Sequence, residues 1–204
     1  MTDPIRLLIA DDQGLVRGAL AALLDLEPDL EVVAQAASGS AVVAAARANR
    51  CDVALLDVEM PGMDGIEAAA ALRAEVPTCR ALIVTTFGRP GYLRRALDAG
   101  ASGFVVKDTP AEQLADAVRR VHAGLRVVDP ELAVESLAVG TSPLTDRERS
   151  VLLEASTGGT VADIAAATFL SEGTVRNYLS AAIGKTNART RAEAVRIAQE
   201  HGWL

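Results

Sequence analysis

The chain has 204 residues, half of them hydrophobic, 23 % charged and only 3 % aromatic, with a net charge of −7. This is the composition of a globular protein whose core must be built from Leu, Val, Ile and Ala. It has room for one or two domains and no apolar window long enough for a membrane-spanning helix. Two cysteines, Cys51 and Cys79, and two histidines, His122 and His201, exclude a disulfide framework and a Cys/His zinc site.

Asp3, Pro4 and Arg6 interrupt the first nine residues, which therefore do not read as a signal peptide. The expected location is the cytoplasm, with no membrane partner. The charge is uneven: residues 144–204 hold seven basic and seven acidic side chains, so the whole deficit lies in residues 1–143. That asymmetry points to two modules with different partners.

In chain order, short apolar runs alternate with helical stretches. Residues 5–10 (IRLLIA), 31–34 (EVVA), 53–56 (VALL), 81–85 (ALIVT) and 103–106 (GFVV) read as buried strands. Residues 15–26, 39–49, 64–75, 90–99 and 110–123 carry helical periodicity. Thr109 is expected to cap the last of these helices, with Pro110 in its first position and Glu112 completing a capping box. Five strand–helix repeats predict a doubly wound, five-stranded parallel α/β sheet of flavodoxin-like type over residues 1–125.

Residues 126–143 break the pattern and read as a linker holding one short apolar helix. Residues 144–204 contain only helical segments. Capping boxes at Thr145/Glu148 and Thr160/Asp163 open the first two, the turn TFLS precedes a third over residues 172–185, and a fourth runs from 190 to 201. The sum is a small all-α module of helix-turn-helix type.

In open parallel sheets, ligands bind at the carboxyl ends of the strands. Asp11 and Asp12 follow the first strand and Asp57 the third, while Thr85 closes the fourth and Lys107 the fifth. Three carboxylates form a hard oxygen site suited to Mg²⁺, and a carboxylate can act as a nucleophile toward phosphorus. Lys and Thr then supply contacts to phosphoryl oxygens.

These residues lie in the motifs LLIADD, LLDVEMPGMDG, LIVTT and AGASGFVVKD. Here the chain resembles the receiver domain of response regulators, over about residues 5–124. The resemblance implies that Asp57 accepts phosphate from a sensor histidine kinase. It implies Mg²⁺ ligation by Asp12, with Asp11 in support, by Asp57 and by the Glu59 backbone carbonyl. Thr85 and Lys107 would contact the phosphoryl group, and Pro61 and Gly65 would shape the loop after Asp57. Phe104 stands at the family's aromatic switch position and is either that switch or plain core. The Glu59 side chain either borders the site, tuning access of the hydrolytic water, or is a solvated loop charge. The arginines of TFGRPGYLRRAL form either a loop and helix start or a partner surface.

In the third helix of the C-terminal module, Val175, Tyr178, Leu179, Ala182 and Ile183 recur at i, i+3, i+4, i+7 and i+8, an inward face. Its other face carries Thr174, Arg176, Asn177, Ser180 and Lys185. Arg reads guanine and Asn reads adenine in the major groove, while Lys and Ser/Thr bind phosphate. LTDRERSVL, VADIAAATFLSEGTVRNYLS and RAEAVRIAQEHGWL resemble the LuxR-type DNA-binding domain, so the whole chain resembles response regulators of the NarL/LuxR type. GRPGYLRRAL, GTVRNYLS and the terminal GWL resemble the DesR-like subgroup. Tyr178 departs from the usual His, and KTNART from the common Lys-Leu form.

The resemblance implies that residues 172–185 are the recognition helix, with Ser171, Thr174, Arg176, Asn177, Ser180 and Lys185 toward double-stranded promoter DNA, and that the last helix can dimerise. The resulting expectation is a transcription factor, not an enzyme beyond its own phosphoryl uptake and autodephosphorylation, that forms a homodimer on phosphorylation. Residues 86–99 and 111–122 are candidate dimer surfaces. One alternative is an aspartate-nucleophile phosphatase, against which stand Glu59 in place of a second Asp and the absence of a cap domain. The other is a phosphorylation-independent DNA-binding or interaction protein, against which stands the intact acid set.

Overall fold

A computed structural model describes residues 3–86, 90–130, 132–134 and 142–204. The chain divides into two compact units, an N-terminal α/β unit and a C-terminal helical unit. The first contains β1 (Ile5–Ala10), α1 (Gly14–Leu24), β2 (Leu30–Ala36), α2 (Val42–Ala48, after a 3₁₀ turn at Gly39–Ala41) and β3 (Val53–Leu56). It continues with α3 (Gly65–Glu75), β4 (Arg80–Thr85), α4 (Pro90–Ala99), β5 (Gly103–Val106), α5 (Ala111–His122) and β6 (Val127–Val128).

The sheet order is β2-β1-β3-β4-β5-β6 and every pairing is parallel. The doubly wound parallel sheet is as expected, with one strand more than predicted. Val127 and Val128 pair with Gly103 and Phe104 inside the segment read as linker. Two β-branched residues suffice there because β5 would otherwise present an open edge, but two residues give no periodic signal.

The central strands are apolar throughout because helices cover both faces. On one face Leu8, Leu56, Ile83 and Phe104 pack with Leu72 of α3 and Leu93 and Ala96 of α4. On the other, Leu7, Ile9, Leu55 and Val84 pack with Leu24 of α1 and Leu114, Val118 and Val121 of α5. Cys51 and Cys79 are buried free thiols, pushed up by burial to about 11 and about 12.

The start of α5 differs from expectation. Its N-cap is Pro110 rather than Thr109, and no side chain caps it. With ψ at 143° Pro110 lies outside the helix, so the first turn begins one residue later and the Thr109/Glu112 spacing no longer matches a capping box. The short apolar helix expected in the linker lies mostly outside the described residues; 132–134 are helical.

The helical unit comprises α6 (Asp146–Ala155), α7 (Val161–Thr168), α8 (Glu172–Lys185) and α9 (Arg191–Glu200). Both expected capping boxes are present: Thr145 and Glu148 close on each other, as do Thr160 and Asp163. Its core is Val151, Leu152, Ile164, Val175, Leu179, Ala182, Ala194, Ala198 and the chain end Leu204, with Tyr178 half-buried against it. Phe169, in the turn before α8, takes a left-handed conformation that ends α7.

Candidate functional site

At the carboxyl edge of the sheet the register brings distant residues together. Asp57 N–H donates to Ala10 O at 2.9 Å, fixing the end of β3 beside that of β1, and Lys107 N–H donates to Thr85 O at 2.8 Å, fixing β5 beside β4. One carboxylate oxygen from each of Asp11, Asp12 and Asp57 lies within 4.8 Å of the others. Asp11 and Asp57 are almost fully buried, at 1 % and 3 % exposure, and Thr85 is buried beside them; Asp12 is exposed.

The Lys107 ammonium bridges the two buried acids, 2.7 Å from Asp11 Oδ2 and 2.8 Å from Asp57 Oδ2. Burial works against the Lys107 charge, but the hydrogen bonds to Asp11 and Asp57 outweigh it and hold its pKa above the ordinary range. Burial pushes the Asp57 carboxyl up against the pull of Lys107, and the charge of Asp11 adds to the rise. The Glu59 backbone N–H donates to Asp57, while its side chain is exposed in the loop.

Asp57 Oδ1 is buried with no hydrogen-bond partner. A buried, unpartnered carboxylate oxygen beside two further acids is costly unless a cation or a reacting group engages it. The donor set is all oxygen, so the residues present fit a hard divalent ion such as Mg²⁺.

Two glycines shape the loop after Asp57. Gly62 has φ +81°, and a Cβ at Gly65 would overlap the Asp57 carbonyl oxygen. Phe104 is fully buried in β5, packed in the core.

Three supporting contacts escaped the sequence reading. Arg17 donates to the Asp11 carbonyl at 2.6 Å, holding the β1–α1 loop. Asp64 caps α3 in a box with Glu67 and receives Arg95 of α4 at 3.1 Å. The Asp-x-x-Glu spacing was the available signal for that cap; the partner on α4, 31 residues away, left none.

The third is made by Glu148, the expected capping partner of Thr145: buried in α6, its Oε2 accepts from Thr145 N–H and also from Lys185 Nζ, both at 2.7 Å. Lys185, expected to face DNA, therefore has its ammonium on α6. The remaining residues of that set stand apart from the core. Arg176, Asn177 and Ser180 are exposed on α8, with Arg176 2.6 Å from Glu172. Ser171 is the N-cap, accepting from Thr174 N–H at 3.1 Å.

Comparison with known proteins gives each unit a family. The family described as "Response regulator receiver domain" matches residues 7–119, and "Bacterial regulatory proteins, luxR family" matches residues 142–198. The chain belongs to the LuxR family of two-component response regulators. Among its relatives in that family are the transcriptional regulatory proteins YvfU and DesR of Bacillus subtilis (strain 168). They are 44 % and 43 % identical over 98 % of this chain, and the matches cover 100 % and 99 % of the relatives. The crystal structure of the response regulator ChrA of a heme-sensing two-component system aligns over 100 % of both chains at 32 % identity, with a TM-score of 0.60. As a LuxR-family response regulator, the chain is a DNA-binding transcription regulator rather than a typical enzyme. Among the described residues, no helix is long and apolar enough to cross a membrane.

Proposed function

We propose that this response regulator is switched by phosphorylation of Asp57 and that the switch controls promoter binding through dimerisation. The observation that carries the first part is the buried Asp57 carboxylate, one oxygen held by Lys107 and the other without a partner. The free oxygen attacks the phosphorus of a kinase phosphohistidine; the new O–P bond replaces the P–N bond, and the imidazole leaves with its electron pair. Thr85 and Lys107 bind oxygens of the transferred group. Asp11, Asp12, Asp57 and the Glu59 carbonyl would hold Mg²⁺, which neutralises charge on that group. Hydrolysis of the acyl phosphate returns Asp57 to its resting form, so the protein catalyses only its own phosphoryl uptake and loss.

Residues 1–125 act as the receiver, 126–143 as the link and 144–204 as the reader, in the cytoplasm where kinase and DNA are both available. Arg176, Asn177 and Ser180 face the bases, and Ser171 and Thr174 flank the phosphates. Lys185 anchors α8 to Glu148 and so sets the angle of the reading face. The second alternative, a phosphorylation-independent DNA binder, gives no role to the buried acids.

The test is intact mass after incubation with acetyl phosphate. Wild type gains one phosphoryl group with Mg²⁺ and none in excess chelator, and Asp57→Asn gains none. Labelling of Asp57→Asn, or of wild type in chelator, contradicts the assignment of phosphoacceptor or of metal.

A further inference from the structure

Glu172 opens the recognition helix and is the sole acid between Ser171 and Ala192, a stretch with four basic residues. It occupies the first position of α8, and in helix-turn-helix proteins the N-terminal residues of the recognition helix are the ones that reach base edges. Its side chain is half exposed, and its Oε2 lies 2.6 Å from an Arg176 guanidinium nitrogen, one turn along the same face. The helix start does not depend on it for a cap, because Ser171 accepts the Thr174 N–H.

A carboxylate touching a guanidinium presents an acceptor beside a fork of donors. The major-groove edge of a G·C pair is the complement of that arrangement. Guanine offers O6 and N7 as acceptors, and cytosine N4 offers a donor beside them. An A·T pair instead sets thymine O4, an acceptor, where the carboxylate would lie. On phosphates or wrong bases the acid is repelled without compensation.

We propose that Glu172 is a specificity-determining residue that accepts from cytosine N4 of the same base pair whose guanine is bound by Arg176. The two side chains stay paired as they dock and read one G·C pair as a unit. This rests on the reading of α8 as the DNA-facing helix.

The test uses the full-length phosphorylated protein and duplexes selected from a random library. Wild type should select one G·C pair per half-site that Arg176→Ala relaxes. Glu172→Ala should lose about tenfold in discrimination at that same pair while its affinity for scrambled DNA rises. The losses in Glu172→Ala/Arg176→Ala should be less than additive, since both residues read one pair. Glu172→Gln, which keeps an acceptor oxygen, should restore part of the G·C preference.

A purely structural role would move the unfolding midpoint and leave the base preference alone. The proposal is overturned if Arg176→Ala relaxes a pair that Glu172→Ala leaves untouched, or if Glu172→Ala raises affinity for all sequences equally. If Arg176→Ala and Asn177→Ala change no base preference either, the failure lies with α8 as the reader.

Discussion

Two lysines show how one residue type is put to different work by burial. Lys107 sits between two buried acids at the sheet edge, where its charge offsets theirs and leaves one Asp57 oxygen open. Lys185 reaches the buried Glu148 from the end of α8, and its own side chain is 38 % exposed. Hydrogen bonds from Lys185 and Thr145 hold the Glu148 carboxyl below its ordinary value of 4.5, against the opposing effect of burial. A carboxyl depressed in the folded state contributes stability that is present above pH 4.5 and lost as pH falls through the folded pKa. Glu148→Gln should therefore be less stable than wild type at neutral pH, with the difference shrinking on acidification below pH 4.5. Trp203, the single tryptophan, lies in the same unit and reports the unfolding. A constant difference from neutral to acid pH would contradict this. Lys185→Ala leaves Glu148 buried without its cation and should cost about 1–3 kcal/mol, the partial exposure of Lys185 keeping it below the value for a fully buried pair.

At the scale of elements, caps decide where helices begin, and their loss is measurable. Asp64 caps α3 and receives Arg95 from α4, so Asp64→Ala removes both interactions and should destabilise the α/β unit by about 1–2 kcal/mol in urea unfolding. Asp64→Asn, which keeps a capping oxygen, should recover most of the cap but not the ion pair; equal loss in both variants would assign the whole effect to Arg95. Much of this architecture was legible in the sequence. Core strands buried on both faces are continuous apolar runs, and Thr145/Glu148 and Thr160/Asp163 are local patterns that need no tertiary partner. What was not legible depends on the assembled fold. The sixth strand exists only because β5 offers an edge. The start of α5 turned on one ψ angle at Pro110. The acids and Lys107 were legible as residues following the first, third and fifth strands. The Lys185–Glu148 pair spans 37 residues and has no periodic trace, so an outward-facing position read as solvent-facing when the side chain in fact turns to α6.

For the whole molecule, the proposed switch couples an acidic receiver to a charge-neutral reader in one chain and acts by bringing two readers together. Joining two half-site readers raises the effective concentration of the second by orders of magnitude without any new DNA contact. Sedimentation should show a mass increase on phosphorylation at working concentration, and half-sites about one helical turn apart should be preferred, near 34 Å between centres. The most direct test of the account is the affinity of the protein for a selected genomic fragment, titrated with and without acetyl phosphate and Mg²⁺, in wild type and in Asp57→Asn. Wild type should bind more tightly when phosphorylated, with no gain on scrambled DNA of equal length beyond that expected from dimerisation, and Asp57→Asn should bind alike in both conditions. Equal affinity of phosphorylated and unphosphorylated wild type, or a gain that persists in Asp57→Asn, would contradict it.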